Sequence, residues 1–247
     1  MRVAALYDIH GNLPALEAVM DDVRRAGIDT VVVGGDVLPG PMPRETIEFL
    51  QSVDLPIECI FGNGDREVLS SLAGIDSGLP EQFREVIRWN GEQLSKKQRE
   101  LIKDWPAQVH RKVAGLGDVR FCHATPRNDT EIFTRLTPEE RLVPVFEGVS
   151  AAVVVCGHTH MQFDRMVGPI RVVNAGSVGM PFGEPGAYWL LLGPVVELRR
   201  TGYDLDAAAK RIRATSYPQA EEFAAHNVLR PPTEEQILAA FAQAELK

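Results

Sequence analysis

Several short apolar runs in this chain end in residues that can bind a metal ion. The runs 3–7, 30–34 and 57–61 are rich in β-branched and other apolar residues, which is typical of buried strands. Two later runs, 119–122 and 151–156, have a similar composition. The ligand-type residues that follow these five runs are Asp8, His10, Asp36, Asn63, His123, His158 and His160. A fold that gathers the strand ends would therefore gather these side chains at one place.

The spacing of the first three runs predicts parallel strands joined by helices. Asn12 can cap the first helix, and a second helix is expected at about 44–53. Asp36 follows Asp8 by 28 residues, and Asn63 follows Asp36 by 27. One βα unit takes roughly 30 residues, and its right-handed crossover makes successive strands parallel. These three residues should therefore leave the sheet at the same edge.

The rest of the sequence predicts a helical region, further strands and a helical end. Residues 65–107 have a helical pattern, and the pattern becomes helical again from residue 204. Strands are expected at 119–122, 151–156, 170–173, 188–192 and 195–198. The last four lie close together, which favours a second sheet or an antiparallel extension of the first. We predict one domain over residues 1–247, with a core of about 1–200 and a C-terminal helical extension at about 203–247 that packs on the core or forms a homo-oligomer surface.

The charge and composition exclude some classes of function. A formal net charge of −8 argues against general binding of nucleic acids or anionic membranes, because phosphate groups attract Lys and Arg. A small phosphorylated ligand remains compatible, since divalent cations reverse the local sign of charge. The three cysteines follow no C-x-x-C spacing and lie in apolar runs. We therefore expect core thiols in a cytoplasmic protein that has neither a signal peptide nor a membrane span.

Each motif is weakly specific alone, whereas the set predicts a metal centre. A capping aspartate beside a surface histidine would explain Asp8 and His10, and Asn63 could be a turn residue. His158 and His160 are two residues apart and can project toward one centre from an extended turn. Mixed carboxylate and imidazole ligands favour a transition metal. Because five strand ends each close with a ligand-type residue, we predict a site for two metal ions.

In this order the motifs resemble those of the calcineurin-like metallophosphoesterases, in particular the small bacterial and archaeal phosphodiesterases. The motifs are Asp-x-His, Gly-Asp, Gly-Asn-x-Asp, a single histidine after a strand, and Gly-His-x-His, with a Gly-Ser-Val-Gly loop at 176–179. Together they extend over residues 3–179. The resemblance implies an α/β fold, a four-layer αββα sandwich of two mixed sheets flanked by helices. It also implies a dinuclear centre between the strand ends.

The resemblance assigns a role to each ligand. One metal takes Asp8, His10 and His160, the other takes Asn63, His123 and His158, and Asp36 bridges the two. Asp36, Asn63, His123 and His158 are then the expected catalytic residues. Two divalent transition-metal ions are the expected cofactor, with manganese preferred and iron, zinc, nickel or cobalt as alternatives.

One position departs from the family pattern. Many members have a histidine in the third place of the Gly-Asn-x-Asp motif, where it helps to protonate the leaving oxygen, but this chain has Gly64. General acid catalysis typically contributes ~10²–10⁴-fold, so esters of poor leaving groups should react slowly. Gly64→His is expected to restore their hydrolysis if the backbone at this turn tolerates a side chain, whereas a left-handed φ at Gly64 would make the histidine cost stability instead. Asp65 has two open interpretations, a helix cap or a catalytic group.

The function predicted from the sequence is hydrolysis of phosphodiesters or activated phosphoesters by a metal-bridging hydroxide. One alternative is a dinucleoside polyphosphate hydrolase with the same centre, and another is a non-catalytic metal-binding scaffold of the same fold. The expected partner is a small phosphorylated substrate. Asn12 and Arg127 are candidate substrate contacts, although a helix cap would explain Asn12 and a solvated loop position would explain Arg127.

Overall fold

The fold is that of a computed structural model, which describes residues 1–75 and 78–246. The strands are β1 (Val3–Leu6), β2 (Thr30–Val33), β3 (Ile57–Cys59), β4 (Gln108–Val113), β5 (Gly117–Cys122), β6 (Val153–Cys156), β7 (Phe163–Val167), β8 (Ile170–Asn174), β9 (Ala187–Leu192) and β10 (Val196–Thr201). The helices are α1 (Leu13–Arg25), α2 (Pro43–Ser52), α3 (Asn63–Leu72), α4 (Glu81–Gln93), α5 (Lys96–Lys103), α6 (Glu139–Phe146), α7 (Leu205–Arg213), α8 (Ala220–Phe223) and α9 (Glu234–Phe241), with a π-helical segment at Ala224–Leu229.

The first sheet has the strand order β10-β9-β1-β2-β3. Its strands β1, β2 and β3 are parallel, with Val3 opposite Thr30 and Val31 opposite Ile57, as the spacing predicts. β9 runs antiparallel to β1, and β10 runs antiparallel to β9. The predicted antiparallel extension is therefore part of this sheet. Every side chain of β1 and β2 is buried, which is expected of parallel strands covered on both faces.

The second sheet has the order β4-β5-β6-β8-β7. β5, β6 and β8 are parallel, whereas β4 and β7 pair antiparallel with their neighbours at the two edges. These two edge strands are absent from the sequence-based prediction. Both carry charged or polar residues between apolar ones, as in Gln-Val-His-Arg-Lys-Val of β4. Short edge strands with such composition give a weak hydrophobic signal.

The two sheets face each other across one apolar layer, and helices cover their outer faces. Val3 and Ala5 of β1 point into the layer between the sheets, where they join Val119 and Phe121 of β5. The alternate side chains of β1 pack instead against α1. On the far side, α6 packs its apolar face on the second sheet. The predicted four-layer αββα sandwich is confirmed.

The C-terminal helices pack on the first part of the chain. Ala208, Ile212 and Phe223 form an apolar cluster with Met42 and Val86. The predicted helical extension is therefore present and packs on the core, while the predicted homo-oligomer remains a prediction. Among the helices in the described ranges, none combines the length and the apolar character needed to cross a membrane.

Candidate metal centre

The strand ends bring all seven predicted ligands together. Asp8 follows β1, Asp36 follows β2, and His123 follows β5 directly. The ligand atoms form two groups, in each of which they lie within 4.8 Å of one another. The first group is Asp8, His10 and His160, and the second group is Asp36, His123 and His158. The side-chain amide of Asn63 lies beside the second group, 3.1 Å from His123 Nε2 and 3.0 Å from His158 Nδ1.

Each carboxylate has one oxygen fixed by the backbone and one oxygen aimed at the imidazoles. Asp8 Oδ2 accepts a hydrogen bond from the His158 N–H at 2.9 Å, and Asp36 Oδ1 accepts one from the Gly64 N–H at 2.7 Å. Asp36 Oδ2 lies 3.5 Å from His123 Nε2 and 3.8 Å from His10 Nε2, so it stands between the two groups. Asp8 Oδ1 is buried and has no hydrogen-bond partner among the described residues.

Each imidazole is held by a main-chain carbonyl on the side away from the centre. The pairs are His10 Nδ1 with Pro39 O (3.1 Å), His123 Nδ1 with Gly34 O (2.9 Å), His160 Nδ1 with Met180 O (2.7 Å) and His158 Nε2 with Thr130 O (3.2 Å). A carbonyl can only accept, so the nitrogen that faces it carries the hydrogen. The other nitrogen of each ring then presents its lone pair to the centre, which is the arrangement of metal-bound histidines.

The lone pairs that converge in each group require positive charge between them. His10 Nε2 and His160 Nε2 are only 3.2 Å apart, and Asp8 Oδ1 is 3.4 Å from His160 Nε2. Burial opposes a charge on His123, but Asp36 and Asp8 raise the pKa of His123 to about 10. Burial and the neighbouring His123 lower the pKa of His158 to about 4. A proton or a metal ion can supply the charge, and this set of oxygen and nitrogen donors fits a divalent transition metal.

Five of the seven predicted ligands have a left-handed backbone, which sequence patterns do not reveal. Their φ angles are +53° at Asp8, +46° at His10, +50° at Asp36, +65° at His158 and +57° at His160. Such a conformation costs about 1–2 kcal/mol in a residue with a side chain, and it is concentrated at functional sites. The sharp turns bring two ligands from one strand end toward the same centre. The nearest sequence signal is the glycines beside the ligands, such as Gly35 and Gly157.

Asp65 supports the turn that carries Asp36. Its carboxylate is fully buried and accepts hydrogen bonds from the N–H groups of Asp36 (2.9 Å), Leu38 (3.0 Å) and Gly62 (3.1 Å). Burial and the nearby Asp36 raise the pKa of Asp65 to about 8, while the N–H donors of Gly62 and Leu38 act in the opposite direction. Of the two interpretations left open by the sequence, these contacts support the cap, because Asp65 closes the first turn of α3.

Gly64 has no space for a side chain. It lies in the first turn of α3, and it is not among the glycines with a left-handed φ. A Cβ atom there would overlap the Leu38 carbonyl oxygen and would lie 2.9 Å from Pro39 Cδ and 3.1 Å from Asp36 Oδ1. The condition under which Gly64→His would restore a general acid, a turn that tolerates a side chain, is therefore not met. The obstacle is the backbone at Leu38 and not the φ angle.

The two predicted substrate contacts have different surroundings. Asn12 is fully buried, caps α1 through the Ala15 N–H and donates to Gly179 O at 2.9 Å, so a substrate would have to replace these bonds. Arg127 pairs with the buried carboxylate of Glu131, and about half of its side chain is exposed. It also lines a cavity of about 180 Å³ that reaches His123. The position of Arg127 is therefore open to a ligand.

Sequence comparison identifies related proteins across most of the chain. The profile of the calcineurin-like phosphoesterase superfamily domain matches residues 1–192. An uncharacterized protein from Methanocaldococcus jannaschii is 27% identical over 237 residues, which cover 88% of this chain and 94% of that protein. The phosphodiesterase YfcE from Escherichia coli is 27% identical over 208 residues, which cover 80% of this chain and 91% of YfcE.

Solved structures share the arrangement of the sheets. A hypothetical protein from Pyrococcus horikoshii superposes with a TM-score of 0.79 at 22% identity, over 90% of this chain and 97% of that one. A metallophosphoesterase from Sphaerobacter thermophilus gives a TM-score of 0.71 at 24% identity, over 91% and 98% of the two chains. At these identities the likeness establishes the fold alone.

Proposed function

The chain belongs to the calcineurin-like phosphoesterase superfamily, and we propose that it hydrolyses phosphodiesters with two divalent cations, manganese first among them. The observation that carries this proposal is the pair of adjacent donor groups, the first with Asp8 and the second with Asp36, at one edge of the two sheets. The similarity to the phosphodiesterase YfcE supports the class of substrate.

The residues divide into a set for each ion. When bound, two divalent cations about 3.5–4 Å apart lower the pKa of water and withdraw charge from phosphoryl oxygens. The first ion would be held by Asp8, His10 and His160, and the second by Asn63, His123 and His158. Asp36 Oδ2, which is 3.5 Å from His123 Nε2 and 3.8 Å from His10 Nε2, would serve both. The backbone carbonyls behind the imidazoles orient each ring so that the lone pair of its other nitrogen faces the centre.

The preference for diesters and activated esters rests on the region around Gly64. No side chain fits there, and the carboxylate of Asp65 is occupied by three main-chain N–H groups. Negative charge on the leaving oxygen would therefore develop without an adjacent acid from either residue. Good leaving groups, such as aryl oxides or phosphates, need no such help.

The same argument supports a second candidate, hydrolysis of dinucleoside polyphosphates, because a leaving phosphate is stable as an anion. A non-catalytic scaffold is the third candidate. Against the scaffold, every one of the seven ligand positions carries a competent donor. The preferred function is therefore the enzyme, with the diester as its substrate.

The deciding experiment is turnover of a substrate panel by metal-depleted protein to which Mn²⁺ is added. The panel contains a nitrophenyl diester, a nitrophenyl monoester, an alkyl diester and a dinucleoside polyphosphate. We expect the nitrophenyl diester to react at least ~10²-fold faster than the alkyl diester, since no side chain at position 64 protonates the leaving oxygen. Across a series of diesters, log(kcat/KM) should fall steeply as the leaving-group pKa rises.

Each of the other possible results of the substrate panel would change the proposed function or mechanism. A flat plot, with chemistry rate-limiting, would mean that another residue supplies the proton. Preferred turnover of the dinucleoside polyphosphate would move the function to the second candidate. Metal binding without turnover of any member of the panel would favour the scaffold.

A further inference from the structure

The last part of the chain crosses two loops beside the metal centre. We call residues 230–246 the C-terminal segment, which contains α9. It lies beyond residues 1–192, the part matched by the superfamily profile. The two loops are the loop after β5, residues 123–138, and the loop after β8, residues 175–186. The C-terminal segment therefore lies outside the part of the chain that the profile matches, and it contacts the loops next to the candidate ligands.

The C-terminal segment binds the loop after β5 at several points. The contacts are an ion pair of Glu234 with Arg135 (2.6 Å), a hydrogen bond from the Leu246 N–H to Ile132 O (2.9 Å), and a hydrogen bond from the Thr137 hydroxyl to Glu245 Oε1 (2.7 Å). Glu245 also pairs with Arg141 at the start of α6 (3.0 Å). These contacts come from both ends of the segment, and they hold the second half of the loop, residues 132–137.

The same segment binds the loop after β8. The Gly183 N–H donates to Pro232 O at 2.8 Å. The ring of Phe241 in α9 meets the ring of Phe182 edge-on, with centroids 6.3 Å apart and an interplanar angle of 73°. Edge-to-face aromatic pairs stabilise a contact beyond the apolar area that they bury. Phe182 is therefore held from the side that faces α9.

Both loops also contact and orient histidines of the candidate metal centre. In the loop after β8, Met180 O orients His160, and Phe182 stacks on the same imidazole with centroids 5.4 Å apart and an angle of 21°. In the loop after β5, Thr130 O orients His158. A continuous path therefore runs from Phe241 through Phe182 to His160.

We propose that the C-terminal segment positions the metal ligands, and that Phe241 is its main positioning residue for His160. Phe241 acts through Phe182 and not by direct contact with a metal ligand. The ring of Phe182 fixes the plane of the His160 imidazole. α9 has no fully buried residue, so its contribution to the apolar core is small. Its defined contacts fall instead on the two loops that orient the histidines. This inference rests on the proposed metal centre but not on turnover of any substrate.

The test compares Mn²⁺ affinity in metal-depleted full-length variants by calorimetric titration. Partners that orient a metal ligand typically change affinity by about 10–100-fold when they are removed, and we expect a loss in that range for Phe241→Ala. Phe241→Tyr keeps the ring and should bind within about threefold of the wild type. The control is Val23→Ala. Val23 is a fully buried core residue near the C-terminal end of α1, so its substitution should lower Tm and leave the affinity unchanged.

The outcomes separate positioning from a general loss of stability. Wild-type affinity in Phe241→Ala would overturn the proposal. An equal loss in Val23→Ala at matched Tm would overturn it as well, because the effect would then follow stability alone. If Phe241→Ala does not fold, Phe241→Leu, which keeps an apolar side chain without the ring, is measured instead against the same expectation. A wild-type protein that binds Mn²⁺ but hydrolyses nothing would reject the proposed function and leave this inference intact.

Discussion

The two ligand groups contain the same kinds of donor but have different surroundings. Each group contains two buried residues and one half-buried residue. In the first group, the ring of Phe182 stacks on His160. The second group borders the cavity of about 180 Å³ that His123 shares with Arg127. The two groups therefore differ in what lies beside their histidines and not in their donor atoms. Substitutions in each group test whether this difference matters.

The largest expected effect comes from the carboxylate between the groups. Asp36→Asn removes the negative charge whose Oδ2 lies 3.5 Å from His123 Nε2 and 3.8 Å from His10 Nε2. We expect activity to fall by more than about 100-fold, since even an outer partner of a ligand costs 10–100-fold. Metal content, measured by elemental analysis after dialysis, should fall in both groups.

The matched control is Asp164→Asn, which removes an exposed carboxylate from β7 that pairs with Arg171. This control should keep its metal content and activity. An Asp36→Asn protein that retains two metal equivalents would show that the groups do not share this residue, and the comparison between them would fail.

The next effect separates the two groups. His10→Ala should remove the ion of the first group and His158→Ala that of the second, so each variant should retain about one Mn²⁺ equivalent with at least a ~10-fold loss of activity. His110→Ala, in the edge strand β4, is the control and should retain both ions. If either ligand variant loses both ions, the groups form one cooperative site and not two separate ones.

The smallest expected effect concerns the cavity beside the second group. Arg127→Ala removes a half-exposed guanidinium that lines the cavity next to His123. A contact of about 0.5–1 kcal/mol with a phosphoryl group would appear as a rise in KM of roughly two- to fivefold with little change in kcat. Steady-state kinetics of the nitrophenyl diester, with Arg171→Ala as the surface control, measure it. An unchanged KM would remove Arg127 from the substrate contacts.

The sequence predicts the strands that are buried on both faces but not those at the edges of the second sheet. β1, β2 and β6 are continuous apolar runs, and a run of this kind has few alternatives to a central strand. β4 and β7 mix charged and polar residues with apolar ones, and each forms a hairpin with the strand that directly follows it, β5 and β8. Such exposed edge strands give only a weak hydrophobic signal in the sequence.

The candidate ligands are predictable from the sequence, whereas the contacts that hold them in place are not. Residue type and spacing select all seven candidates, because a metal requires particular donor atoms, and the structure brings them together at the strand ends. Asp65 illustrates the missing part, since two of its three N–H partners, Asp36 and Leu38, come within reach only when the turn after β2 meets the start of α3. The contact of Phe241 with Phe182 joins residues 59 positions apart in the chain. Such contacts depend on the finished fold.

The left-handed turns at the ligands influence how a chain of this kind can diverge. Glycine at His10 or His160 would relieve about 1–2 kcal/mol of backbone strain while removing a donor. A lineage released from metal binding would therefore become more heat-tolerant by drifting toward glycine at these positions. Selection for stability alone does not keep histidine there.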